Sequence, residues 1–143
     1  MKLDLSSLKK AVGSLERAVR AAVDEKRMAA LDDDQRDAIR AGVIQNFEFT
    51  YEQCWKMLKR RLTAMAASRD EVDQLSYRDL MRLGAEKDLI QDPLRWFDYR
   101  QQRNITSHTY DEDRANSVFN SAVSFLDDAR LLLERLKATD DDD

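Results

Sequence analysis

Apolar residues recur every three or four positions along most of the chain, which is the spacing of one face of an α-helix. A first stripe, on a helix predicted from about Ser6 to Ala30, consists of Leu5, Leu8, Val12, Leu15, Val19 and Ala22. A second stripe, on a helix predicted from about Asp34 to Ala67, consists of Ile39, Val43, Phe47, Tyr51, Cys54, Leu58, Leu62 and Met65. At 1.5 Å per residue, the second helix would be roughly 50 Å long.

The second predicted helix carries apolar residues on a further face. These residues are Ile44, Phe49 and Trp55. A helix that is apolar on more than one side is buried among several neighbours or presents a face to another molecule. The pattern therefore leaves open whether this face packs within the chain or contacts a second subunit.

The second half of the chain contains several signals for the start of a helix. Residues 68–74 are polar and predict a loop, and Ser76–Asp79 resembles a capping box that begins a short helix. Gly84 is expected to end this helix. Asp92 followed by Pro93 combines an aspartate cap with proline at the first helical position, so a longer helix is predicted to begin there.

A last helix is predicted from about Asp111 to Lys137. Its inward positions are Val118, Ala122, Leu126, Ala129, Leu133 and Leu136. Residues 139–143, of which the last four are aspartates, are expected to form a disordered acidic tail. No strand-like alternation and no internal boundary interrupts residues 1–138. The expected fold is therefore all-α, a single-domain, up-and-down four-helix bundle with one or two additional short helices.

The charge of the chain argues against a dedicated nucleic-acid binder. Its 143 residues include 24 Lys and Arg against 28 Asp and Glu, a net charge of −4. The four terminal aspartates account for that difference, so the remaining chain is balanced. Any contact with RNA would therefore have to be local.

Several kinds of chemistry are excluded by composition. One cysteine and one histidine cannot form a Cys/His zinc site, and the three scattered glycines form no phosphate loop. We therefore expect no metal and no cofactor. The single Cys54 favours a reducing compartment. No segment approaches the roughly 20 apolar residues of a membrane span, and the charged N-terminus lacks the apolar run of a signal peptide. A cytoplasmic protein without membrane contact is predicted.

The stretch RNITSHTYDE contains the only histidine, His108, five residues after Arg103 and two before Tyr110. On a continuous helix, Arg103 and His108 would point about 140° apart and could not share a face. The Thr and Ser residues around Ser107 are moderate helix formers. The chain is therefore predicted to leave the helix near Ser107, with His108 at a junction between two helices.

Spacing alone allows two interpretations of this stretch. His108 can be a residue at a helix C-terminus, favoured there by the helix dipole, with Tyr110 packing nearby. Alternatively, His108 titrates near neutral pH and transfers a proton, while Arg103 binds a phosphate.

The pattern R-N-x-x-x-H-x-Y from Arg103 to Tyr110 resembles the R-x4-6-H signature of HEPN domains, which are all-α bundles. With its tyrosine, it resembles the motif of HEPN toxins that are paired with minimal nucleotidyltransferase antitoxins. A second stretch, GVIQNFEFTYEQCWKMLK, resembles the long helix of the nucleotidyltransferase substrate-binding protein family. RDLMRLGAEKDLI, DPLRWFDYRQQRNITSHTYDE and LLLERL follow in that family's order. The resemblance covers about residues 5–137.

The two resemblances imply different functions. The toxin family implies a metal-independent endoribonuclease that acts as a homodimer and is neutralised by a cognate minimal nucleotidyltransferase. The substrate-binding family implies a non-catalytic nucleotide-binding subunit of a two-component nucleotidyltransferase. A small nucleotidyltransferase is the expected partner in both cases.

The resemblance also implies roles for residues of the motif. His108 would act as general base or acid, Arg103 would stabilise charge on the phosphoryl oxygens, and Asn104 would orient His108 or a phosphate. Tyr110 would accept AMP from the partner or contact a nucleotide. One histidine per chain cannot supply both an acid and a base, whereas a homodimer supplies two. Further RNA phosphates would contact Lys56, Lys59, Arg60, Arg61, Arg95 and Arg100.

Overall fold

The computed structural model describes residues 2–105 and 112–141, with side chains to residue 140. Within these ranges the regular structure is helical: α1 Ser6–Val23, α2 Glu25–Ala29, α3 Asp33–Met65, α4 Arg69–Asp73, α5 Tyr77–Glu86, α6 Pro93–Ile105 and α7 Glu112–Asp141. The predicted all-α bundle is confirmed, with three shorter helices in place of one or two. None of the helices in the described ranges has the length and apolar character needed to cross a membrane.

The first predicted helix is divided in two at Asp24. This residue is extended, with a ψ of 94°, and its carboxylate accepts a hydrogen bond from the backbone N–H of Arg27 at 3.1 Å. Asp24 therefore ends α1 and caps α2. The predicted apolar stripe of α1 is buried at Leu8, Val12, Leu15 and Val19, and α1 packs along α3.

The central helix, α3, contacts α1, α4, α5, α6 and α7. Its start is stabilised by a capping box between Asp32 and Gln35. On its further apolar face, Ile44 and Trp55 are partly buried against the core, while Phe49 is 56% exposed. Packing within the chain therefore explains why Ile44 and Trp55 are apolar, whereas Phe49 is left exposed to solvent.

Two predicted boundaries in the middle of the chain are wrong. The stretch predicted as a loop, residues 68–74, contains α4, which forms because Val72 is buried against the core. Gly84 does not end α5 but lies inside it, where a Cβ atom would be 3.2 Å from Cδ2 of Leu58. The glycine therefore permits close contact between α5 and α3. The left-handed residue after α5 is Asp88, with a φ of 61°.

The tail predicted to be disordered from residue 139 is helical over residues 139–141, because α7 continues to Asp141. Asp140 is buried and forms an ion pair with Arg61, which is only 2% exposed. A buried guanidinium needs a charged partner, and Asp140 provides one. The prediction that Arg61 contacts RNA is therefore wrong as well. Residues 142 and 143 lie outside the described ranges.

The ring of Phe125 joins three helices in the core. Its centroid lies 5.3 Å from that of Phe47 on α3, and 5.6 and 4.9 Å from those of Trp96 and Tyr99 on α6. All three pairs are edge-to-face, the arrangement that aromatic quadrupoles favour. These contacts determine how α6 sits against α3 and α7.

A buried polar network adds a second connection between α6 and α7. The hydroxyl of Tyr99 donates a hydrogen bond to the carboxylate of Asp128, which is 9% exposed. Nε of Arg95 lies 2.9 Å from the same carboxylate oxygen. Because Asp128 is desolvated, this cation and this donor are what keep its charge stable inside the protein.

We expect Asp128→Ala to lower the free energy of unfolding by about 1–3 kcal/mol, because the buried Tyr99 hydroxyl loses its acceptor. Urea denaturation measures this difference. Asp127→Ala is the matched control, since the neighbouring Asp127 side chain is 83% exposed and its removal should change stability by no more than about 0.5 kcal/mol. Equal losses in the two variants would contradict a stabilising role for the network.

Candidate functional site

A groove between α3, α5 and α6, here called the site groove, has a volume of about 300 Å³. Four residues that the sequence proposed as site residues line it: Lys59, Arg100, Arg103 and Asn104. The other lining residues are Tyr51, Glu52, Trp55, Val72, Leu75, Tyr77 and Leu80. His108 and Tyr110 lie outside the described residues, so their roles stay predictions.

Glu52 of α3 holds the arginine of the motif. Its Oε1 accepts a hydrogen bond from Nε of Arg103 at 3.0 Å, and its Oε2 accepts one from Nε1 of Trp55 at 3.1 Å. Nζ of Lys56 lies 4.0 Å from Oε2. The carboxylate thus orients the guanidinium plane and the indole ring together. Because Arg103 is 36% exposed, the pair contributes more to orientation than to stability.

The sequence interpretation missed Glu52. The available signal was its spacing, because Trp55 and Lys56 follow it by three and four residues and so share its helix face. That spacing contains no information on Arg103, which is 51 residues further along the chain. Only the packing of α6 on α3 brings the two residues together.

Arg100 forms the other wall of the groove. Its guanidinium carbon lies 4.5 Å from the centroid of the Tyr77 ring, a cation–π contact. The Tyr77 hydroxyl in turn donates to the backbone carbonyl of Trp96 at 3.0 Å. A ring anchored at its hydroxyl therefore positions Arg100 one helical turn before Asn104.

The two tyrosines of the groove are weak acids. Burial raises the pKa of Tyr51 to about 12, against the opposing effects of the Tyr77 hydroxyl and of the positive charges of Arg100 and Arg103. Burial also raises the pKa of Tyr77. Both phenols are therefore protonated at neutral pH, where they act as hydrogen-bond donors and not as bases.

The remaining basic candidates occupy two different places. Lys56 and Arg60 line a wider depression that adjoins the site groove, and Lys59 lines both. Arg95 lies apart from these grooves and pairs with Asp128 at the junction of α6 and α7. The structure therefore groups Lys56, Lys59 and Arg60 with the site and assigns Arg95 to a structural contact.

Residues 2–105 and 112–140 contain no group of three or more His, Cys, Asp or Glu side chains that could hold a metal ion. The single thiol, Cys54, is buried in the core, and this burial raises its pKa. It therefore stays protonated and is a poor nucleophile. The chemistry available in the described part of the groove is that of cations, an amide, aromatic rings and the Glu52 carboxylate, which is paired with Arg103.

Comparison with known proteins relates nearly the whole chain to one group. Residues 3–138 match a family model described as "Nucleotidyltransferase substrate binding protein like". The chain is 38% identical over 136 residues to a Haemophilus influenzae protein named "Probable ribonuclease HepT", covering 95% of this chain and 93% of that protein.

Two solved structures share the fold. A Haemophilus influenzae protein, described as having the fold of a substrate binding domain of a nucleotidyltransferase, superposes with a TM-score of 0.90 at 37% identity. The match covers 94% of this chain and 99% of that one. A Thermus thermophilus protein superposes with a TM-score of 0.69 at 25% identity, over 90% of this chain and 98% of its own.

The raised pKa of Tyr51 predicts how stability responds to alkaline pH. An unfolded tyrosine ionises near pH 10, whereas folded Tyr51 keeps its proton to about 12. A group whose folded pKa is raised stabilises the fold fully below its unfolded pKa and ceases to do so above its folded pKa. We expect the free energy of unfolding to fall between about pH 10 and pH 12, and to fall less in Tyr51→Phe. Denaturant titrations across this range measure both, and identical pH profiles would contradict the assignment.

Proposed function

The chain belongs to the nucleotidyltransferase substrate binding protein like family, and we propose that it is a HEPN-type toxin, a metal-independent endoribonuclease neutralised by a cognate minimal nucleotidyltransferase. The observation that carries the proposal is the site groove, where Arg103, Asn104, Arg100 and Lys59 converge on one opening. The 38% identical relative named as a probable ribonuclease supports the same activity. Three cations in one groove meet the need for local positive charge on a chain of net charge −4.

The proposed reaction is cleavage of RNA by its own 2′-hydroxyl. The 2′-oxygen attacks the adjacent phosphorus and loses its proton, while the bond from phosphorus to the 5′-oxygen breaks and that oxygen gains a proton. His108 accepts or donates one of these protons. Arg103, held through Nε by Glu52, stabilises the charge on the phosphoryl oxygens. The products are a 2′,3′-cyclic phosphate and a 5′-hydroxyl.

A homodimer completes this mechanism. The reaction needs a base and an acid, and the chain has a single histidine. Two protomers supply two histidines to one cleft. Phe49, which is 56% exposed on α3, offers apolar surface that such an assembly would cover.

A second function remains as an alternative, a nucleotide-binding subunit that has no catalytic activity. One related structure is described as a substrate binding domain of a nucleotidyltransferase. The site groove suits a nucleotide, because Trp55 and Tyr77 can contact a base while Arg100 and Arg103 contact phosphates. The two functions differ in whether bound RNA is cleaved.

We expect the purified protein to cleave single-stranded RNA in EDTA. In sedimentation experiments, we expect a mass of about twice the 16.7 kDa of one chain. Arg103→Ala and His108→Ala should each lower the rate by orders of magnitude, as removal of one member of a catalytic unit does. Product analysis by chromatography should detect a 2′,3′-cyclic phosphate. Arg20→Ala is the matched control, because Arg20 is an exposed arginine of α1.

Equal inactivity of wild type and both variants, with unchanged nucleotide binding, would favour the non-catalytic subunit. A strictly monomeric species that cleaves RNA would argue against the two-histidine mechanism but not against the activity.

Tyr110 is proposed as the residue through which the partner silences the toxin. Transfer of AMP from ATP to its hydroxyl, with loss of the hydroxyl proton and release of pyrophosphate, would add a phosphodiester, a negative charge and a base close to Arg103 in sequence. We expect co-expression with the cognate nucleotidyltransferase to increase the intact mass by one or more AMP units, and Tyr110→Phe to abolish the increase. Tyr51→Phe is the matched control, since Tyr51 is only 2% exposed. Unmodified protein in a tight complex with an active transferase would instead indicate inhibition by binding.

A further inference from the structure

A second depression lies beside the site groove, between the N-terminal segment, α3 and α4, with a volume of about 820 Å³. Five cationic side chains line it: Lys2, Lys56, Lys59, Arg60 and Arg69. Within the part of the chain that the structure describes, two acidic side chains, Asp4 and Asp73, accompany them. The depression is therefore locally positive on a chain whose net charge is −4, so its cations are concentrated in one place.

The two grooves are adjacent, because Trp55 and Lys59 line both of them. The indole of Trp55 is fixed by its hydrogen bond to Glu52, the same carboxylate that holds Arg103. A half-buried aromatic ring thus lies where the groove of the proposed cleavage site borders the cationic depression. Fixed aromatic rings of this kind are platforms on which single-stranded bases stack.

The cations of α3 extend away from this ring along the helix. Lys56 and Lys59 follow Trp55 by one and four residues, and Arg60 lies about one turn beyond Lys56, about 6 Å along the axis. Nζ of Lys59 lies 3.7 Å from Oδ1 of Asp73, and both side chains are more than a third exposed. Surface pairs of this kind are weak, so a phosphate can replace the carboxylate as partner of Lys59.

We propose that Trp55 and the cationic depression form a binding track for the single-stranded RNA that continues from the cleavage site, with one base stacked on Trp55 and successive phosphates on Lys59, Lys56, Arg60 and Arg69. The proposal rests on the ribonuclease function proposed above. A protein partner is disfavoured because, among the described residues, the apolar lining is limited to Leu3, Trp55 and Ala64, whereas protein interfaces have an apolar core. A duplex is disfavoured because its paired bases cannot stack on the ring.

The test measures binding of a fluorescent single-stranded RNA by anisotropy over a range of salt concentrations, in full-length protein carrying His108→Ala to prevent cleavage. Adding Arg60→Ala and Arg69→Ala should weaken binding and reduce the slope of log affinity against log salt by about 1.4, since each lost phosphate contact on a single strand contributes about 0.7. Adding Arg17→Ala and Arg20→Ala, two exposed arginines of α1, changes the net charge equally and should leave the slope unchanged.

The role of Trp55 is tested separately, because its removal also affects the core. Trp55→Ala should weaken RNA binding about tenfold or more, while Trp55→Phe, which keeps an aromatic face but loses the bond to Glu52, should bind with nearly wild-type affinity. Thermal melting shows whether each variant folds. In the His108→Ala protein that keeps Trp55, RNA should also quench the fluorescence of Trp55. It should not quench that of Trp96, which is 1% exposed.

The outcomes separate the track from the ribonuclease function. RNA cleavage with an unchanged KM and an unchanged salt slope in the Arg60, Arg69 double variant would overturn the track and leave the activity standing. RNA binding that depends on Trp55 and on both arginines, without any cleavage by wild type, would support the track and reject the nuclease. If the double variant at Arg60 and Arg69 no longer bound the nucleotidyltransferase partner but bound RNA as before, the surface would be a protein interface and the track would be overturned.

Discussion

The edge-to-face packing of Phe125 against Phe47, Trp96 and Tyr99 is the contact on which the site depends. Each such pair contributes about 0.5–1.5 kcal/mol beyond the burial of its surface. The rings belong to α3, α6 and α7, so the cluster determines the rotation of α6 about its axis. Arg103 follows Trp96 by seven residues, close to two full turns, and therefore shares its face. Burial of Trp96 in the core thus directs Arg103 towards Glu52 on α3.

Charged groups are treated differently in the core and in the site groove. In the core, Arg61 pairs with Asp140, and Asp128 pairs with Arg95 and Tyr99, because an isolated buried charge is costly. In the groove, Arg103 is partly exposed, and Glu52 balances only part of the positive charge. This surplus is the property that a phosphate ligand requires, and it arises in a chain whose overall charge is negative.

The sequence was a good guide to the helices and a poorer guide to their ends. Long apolar stripes such as that of α1 predict helices reliably because burial of one face repeats every turn. Boundaries depend on single contacts instead. Asp24 interrupts α1 by capping α2, Val72 holds α4 in a polar stretch, and Asp140 keeps the end of α7 helical by pairing with Arg61. None of these contacts leaves a periodic signal.

The sequence by itself determined the fold class, the family and the motif from Arg103 to Tyr110, because helical periodicity and motif spacing are local properties of the chain. Only the tertiary structure decided which cations belong together. It brought Lys59 and Arg100 into one groove with Arg103, buried Arg61, and placed Arg95 at a helix junction. It also brought Glu52 to Arg103 across 51 residues. Contacts at such separations depend on how helices pack, and packing is set by many side chains acting together and not by the spacing along any one helix.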